Sequence, residues 1–129
     1  MNEPTETAYP MVLIVKRVYD AAEPGDGVRI LVDRLWPRGI ARDKARIDLW
    51  LKDIAPSDAL RKRFHGQPQD WELFRDAYAA ELEGAAAQAA AQQLFEQLRA
   101  GPVTLLYAAR DEQRNNAIAL KIWLEQRRG

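Results

Sequence analysis

The sequence contains no cysteine and a single histidine, His65. Without thiols there is no disulfide, thiolate metal site, cysteine nucleophile or redox pair. One imidazole cannot build a histidine cage, and neither a metal nor another cofactor is expected. A charge surplus is missing too: 19 Lys plus Arg balance 19 Asp plus Glu. No overall field therefore draws the domain to nucleic acid or anionic lipid, and any such binding has to be local. No apolar run approaches the roughly 20 residues of a membrane span. The N-terminus lacks the charged-then-apolar layout of a secretory signal, so a cytoplasmic location without membrane association is the expectation. Segments of the form GxSxG, GxxxxGKS/T, HExxH and GxGxxG are absent as well. That removes support for the hydrolase-elbow, nucleotide-loop, zincin and dinucleotide readings.

What remains is an ordinary globular composition, 47% hydrophobic and 29% charged over 129 residues, the size of one domain with a real core. Residues 1–10, with Glu, Thr and two Pro, read as a loose tail. Residues 11–129 read as a single domain. Trp36, Trp50, Trp71 and Trp123 are spread through the chain and are expected to plug different parts of one core, each ring nitrogen hydrogen-bonded.

Val12 to Val18 and Val28 to Leu35 are apolar, β-branched runs separated by a turn-rich stretch holding Pro24, Gly25 and Gly27, the pattern of two strands and a loop. Asp33 and Arg34 arrive where the second strand leaves the sheet, and Trp36-Pro37-Arg38-Gly39 favours a type I turn that fixes Arg38 at a bend. Ile47 to Ile54 fits a strand slightly better than a helical turn. Ser57 is placed to cap a short helix reaching Phe64. Trp71, Phe74, Tyr78 and Leu82 recur at helical spacing behind Asp70 as a cap, which predicts a helix over 70–83. The Ala- and Gln-rich run to Ala100 is a second helix. Val103 to Ala109 is a continuous apolar run of strand length, and a last helix occupies 115–127. This order gives an α/β fold: a small mixed sheet with a parallel centre, flanked by helices on its faces. Right-handed crossovers then align the carboxyl ends near Leu35 and Ala109 on the edge where open sheets bind ligands.

Four segments carry a resemblance: KRVYD at Lys16 to Asp20, DGVRILVDRLWPRGI at Asp26 to Ile40, APSDALRKRFHG at Ala55 to Gly66, and VTLLYAARDEQRNNA at Val103 to Ala117. Together they resemble the YeaO-like branch of the domain-of-unknown-function 488 family, which brings no established activity with it. Other branches tend to carry Cys where this chain has Tyr107, and a Cys-His-Arg cluster beyond it. That layout is similar to the anion cradle of rhodaneses and small phosphatases, an oxyanion held at a helix N-terminus. Here the nucleophile is replaced by a phenol, and Arg114 stands where relatives often show His.

The candidate residues follow from these positions. His65, Asp33 and Tyr107 are the available proton-transfer groups, should there be chemistry. Arg34, Arg38 and Arg110 supply charge for an anion, and Asn115 and Asn116 either line the ligand or cap the last helix. The leading expectation is a small anionic or polar ligand at the carboxyl edge of the sheet, its reaction unknown, which leaves enzyme or binding protein open. The alternative is a noncatalytic regulatory or adaptor domain working through protein contacts, which an exposed apolar patch around Trp36 would favour. A DNA-binding regulator is disfavoured by neutral charge, the leading strands and the lack of a helix-turn-helix pattern, so no specific nucleic acid partner is expected.

Overall fold

The computed structural model describes residues 12–64 and 67–127. Strands β1 (Leu13–Arg17), β2 (Val28–Leu31), β3 (Leu49–Trp50) and β4 (Val103–Tyr107) form one sheet in the order β1-β4-β2-β3. Every pairing is parallel, so the parallel arrangement expected for the centre extends to both edges. Each of β4's five residues is buried. Leu105 lies opposite Val15 on one side and Ile30 on the other, the position that a continuous apolar run requires.

Helices α1 (Asp58–Phe64), α2 (Trp71–Glu81), α3 (Ala85–Ala100) and α4 (Asn116–Arg127) all contribute to one cluster. Leu60, Tyr78, Leu94, Leu98, Leu120 and Leu124 join Ile30, Val32, Val103 and Leu105 there. Each such side chain contributes about 1.5 to 3 kcal/mol on leaving water. The helices thus collect on a single face instead of flanking both. The opposite face carries a smaller cluster of Val18, Leu31 and Leu106, against which Trp36, Ile40 and Ile47 pack from loops and Trp50 from β3.

The reason lies in what the strands present to that second face. Lys16, Arg29 and Thr104 alternate with the apolar set, and an apolar helix offers them no partner. The loop before β2 does. Asp26, 3% exposed, accepts from Lys16 Nζ at 3.1 Å, from Arg29 Nη1 at 2.6 Å and from the Glu23 N–H at 3.1 Å. Its carbonyl accepts from the Thr104 hydroxyl at 2.8 Å. Arg29, 4% exposed, also donates from Nε to the Arg46 carbonyl at 2.9 Å, and Arg46 is held at φ 54°, a conformation uncommon outside glycine. Gly27 stands at φ 64°, and a Cβ there would lie 2.1 Å from the Pro102 carbonyl oxygen. Only glycine lets the loop meet β4 so closely.

Several local expectations change. The strand expected to reach Leu35 ends at Leu31, with Val32 N–H still bonded to Leu106 O at 3.1 Å, because Asp33 and Arg34 turn to partners outside the ladder. The strand expected over 47–54 is only Leu49–Trp50, followed by a 3-10 turn at Lys52–Ile54; ahead of it the Arg29 N–H of β2 goes to the Asp48 carboxylate instead of a ladder carbonyl. Ser57 caps α1, its hydroxyl accepting the Leu60 N–H at 3.1 Å. Asp70 precedes α2 but makes no capping bond, its backbone at φ −99° and ψ 12° being outside the extended region that aims a cap. Trp36 Nε1 donates to Ile40 O and Trp50 Nε1 to Asp33 O, both at 2.7 Å. Trp123 departs from the expectation, its buried Nε1 having no acceptor among the described residues. Among the described residues no helix is long and apolar enough to cross a membrane.

Candidate functional site

The carboxyl ends of β2 and β4 lie side by side, and the chain leaves each on the same edge. From β2 comes Asp33. One of its carboxylate oxygens accepts the backbone N–H of Ala108 at 3.0 Å, and the other accepts from Asn116 Nδ2 at 2.9 Å. The Asn116 amide also donates to Val32 O at 3.1 Å, tying the first turn of α4 to the end of β2. Burial raises the Asp33 carboxyl above its ordinary range, and the bonds from Asn116 and Ala108 with the charge of Arg61 pull it back only in part. Asp33 and Asn116, both singled out from the sequence, are brought together, but around each other.

Arg34 points elsewhere. Its guanidinium donates to Ala55 O at 2.9 Å and Pro56 O at 3.3 Å, and it lines a hollow of about 340 Å³ with Asp53, Tyr78, Glu81 and the start of α3. Arg38 is exposed; its carbonyl, rather than its side chain, is engaged, accepting from the Tyr19 hydroxyl at 3.0 Å. Arg110 is exposed as well. Asn115 is a helix cap, its Oδ1 accepting the Ile118 N–H at 2.9 Å while Nδ2 donates to Asp111 O. Tyr107 is buried at the end of β4. Burial first, and the charge of Glu112 next, push its phenol up, so it stays protonated near neutral pH. His65 lies outside the described residues. Arg114 pairs with Asp111 at 3.4 Å on the surface.

Two features escaped the sequence reading. Arg17 donates to Ala109 O and Ala108 O, both at 2.9 Å, and so fixes the very loop whose N–H Asp33 receives. The Lys16, Asp26 and Arg29 network is the other. Its signal was present, since a charged residue inside an apolar strand has to find a counter-charge within reach. Among the described residues no three His, Asp or Glu side chains gather as a metal site.

At this edge the Ala108 N–H and the Asn116 amide already donate to a carboxylate of the chain itself, while the Arg38 and Arg110 side chains stand exposed.

A family model described as the inactive DUF488-N3 subclade matches residues 12–128. The uncharacterized protein YeaO of Escherichia coli is 49% identical over 109 residues, covering 84% of this chain and 93% of that protein. Uncharacterized proteins of Mycobacterium bovis (Mb3100c) and Mycobacterium tuberculosis (Rv3073c) are each 42% identical over 106 residues, covering 82% of this chain and 87% of theirs. No solved structure matches.

Proposed function

This chain belongs to the inactive DUF488-N3 subclade, and from that membership we propose that it is a noncatalytic domain acting through protein contacts at the carboxyl edge of its sheet. The observation that carries the reading is Asp33: its carboxylate receives the Ala108 N–H and the Asn116 amide. A ligand anion taking those two donors would have to displace a half-buried, two-fold bonded carboxylate of the protein itself, which is costly. The word "inactive" in the description of the subclade points the same way, as does a buried phenol at Tyr107, where the resemblance implies a thiol in other branches. A contact surface lies beside that edge. Leu35 is 63% exposed and Tyr19 45% exposed, with Trp36 between Leu35 and the turn that carries Arg38. A cytoplasmic location goes with this reading.

A photo-cross-linking amino acid placed at Leu35, with Gln92 on the exposed side of α3 as control, tests it in cells. Discrete adducts from position 35 and none from position 92 are the expected result. Equal labelling from both positions, or none from either, ends the reading.

A second reading keeps the small anionic ligand and is favoured by the hollow beside Arg34. The N-terminus of α3 faces it, capped by Gly84 without a side-chain bond, so its first N–H groups are open to an acceptor. Amide shifts of Ala85, Ala86 and Ala87 that saturate with added phosphate would support it; unmoved amides would exclude that ion.

A further inference from the structure

Resting on the reading of the carboxyl edge as a contact face, we infer that its partner is an acidic segment of another protein, an apolar residue flanked by carboxylates. Between Arg34 and Arg46 the sequence holds five basic residues and one acidic residue, Asp43, within a chain of zero net charge. This stretch is no loose tail: it packs Trp36 and Ile40 against the sheet, so its cations stand on a fixed base. Arg38, Arg42, Lys44 and Arg46 are exposed, and among the described residues none of them forms an ion pair. The neighbouring carboxylates face other tasks. Asp20 accepts the Arg17 N–H at 3.1 Å and Asp48 the Arg29 N–H at 2.8 Å. The field over the segment is therefore positive and unanswered, and Leu35 and Tyr19 add exposed apolar area to it. Carboxylates suit guanidinium groups as bidentate acceptors, and an apolar anchor suits the area beside them.

A nucleic acid strand fits this surface less well. The Arg42 guanidinium lies over the Trp36 ring at 4.4 Å and the Lys52 ammonium over the Trp50 ring at 4.3 Å, while the two rings meet edge to face at 5.4 Å. Unstacked bases need free aromatic faces, and here the protein's own cations cover them. The phosphate-binding half of such a site is present without its stacking half.

Fluorescence anisotropy decides the matter with three labelled probes: a peptide with a Leu-Phe pair between glutamates, the same peptide with glutamine in place of glutamate, and oligothymidine. The acidic peptide should bind, lose affinity as salt is added, and weaken about tenfold in R38E and again in K44E, with both variants melting like the parent. The glutamine peptide should bind far more weakly. Equal binding of both peptides, unchanged affinity in both variants, or tighter binding of oligothymidine overturns the inference. Should cross-linking from position 35 succeed while the acidic peptide stays unbound, the acidic partner falls and the contact-face reading stands.

Discussion

On the helix side of the sheet, Ile30 and Leu105 are packed among leucines of α3 and α4. One residue away on the same two strands, Arg29 and Thr104 are packed among Asp26, Lys16 and a loop. The first environment is non-directional and tolerates small changes of shape at small cost. The second is a network in which each polar group depends on all the others, so that a half-completed version is worse than none. The difference explains why helices cover one face and irregular chain the other. Leucines accept any apolar surface, whereas a buried guanidinium needs carbonyl and carboxylate oxygens at defined points, which a loop supplies more readily than a regular helix.

Asp26→Ala should break the comparison most sharply. It leaves the buried Arg29 guanidinium without a carboxylate and Lys16 with only Glu23 and the Ala21 carbonyl, and is expected to cost about 3 to 5 kcal/mol in urea unfolding, while replacing all three charges by Met and Leu recovers most of that loss. A single-site cost under about 1 kcal/mol would mean that the network does not hold the loop face. The same carboxylate fixes an acid limit. Burial raises Asp26, but Arg29, the Glu23 N–H and Lys16 outweigh it and hold the group below its ordinary value. Its stabilising contribution is thus full above about pH 4 and is lost as the pH falls through the lower folded value. The stability gap between the parent and Asp26→Asn should accordingly narrow on acidification, and a gap that widens contradicts this assignment.

Asp33→Ala, at the edge where the two faces meet, leaves the Ala108 N–H without its acceptor and the Asn116 amide with only the Val32 carbonyl, and should cost about 1 to 3 kcal/mol. Amide hydrogen exchange at Ala108 is the direct readout, and it should accelerate. On the helix face Ile30→Val is expected to cost only about 0.5 to 1.5 kcal/mol, though it sits one residue from Arg29. Smallest of all, Arg38→Ala should change stability by under about 0.5 kcal/mol, since its side chain is exposed and forms no ion pair among the described residues. A melting temperature many degrees lower would make Arg38 a structural brace.

The apolar half of this molecule was legible and the polar half was not. Val103 to Tyr107 announces a central strand by its unbroken run, and Trp71, Phe74 and Tyr78 announce α2 by their spacing, because burial of one face imprints a period on the sequence. The carboxyl-edge location of Asp33, Arg34 and Asn116 followed from topology alone. Their partners did not follow. Asp33 bonds a backbone N–H 75 positions away, and Arg34 bonds two carbonyls that carry no residue-type signature. Lys16, Asp26 and Arg29 follow no period, and only the folded path of the loop between β1 and β2 makes them a set.

The strand order also governs how the chain can be made. β1 and β2 do not pair with each other; each pairs with β4, which begins at Val103. As the polypeptide leaves the ribosome, the first hundred residues thus hold two apolar strands with no ladder between them, and the sheet closes only when the last quarter of the chain emerges. Until then both strands expose bare edges open to other chains. Fragments ending before Val103 should therefore be aggregation-prone, and the slow event in folding should be the insertion of β4 between strands that have been waiting for it.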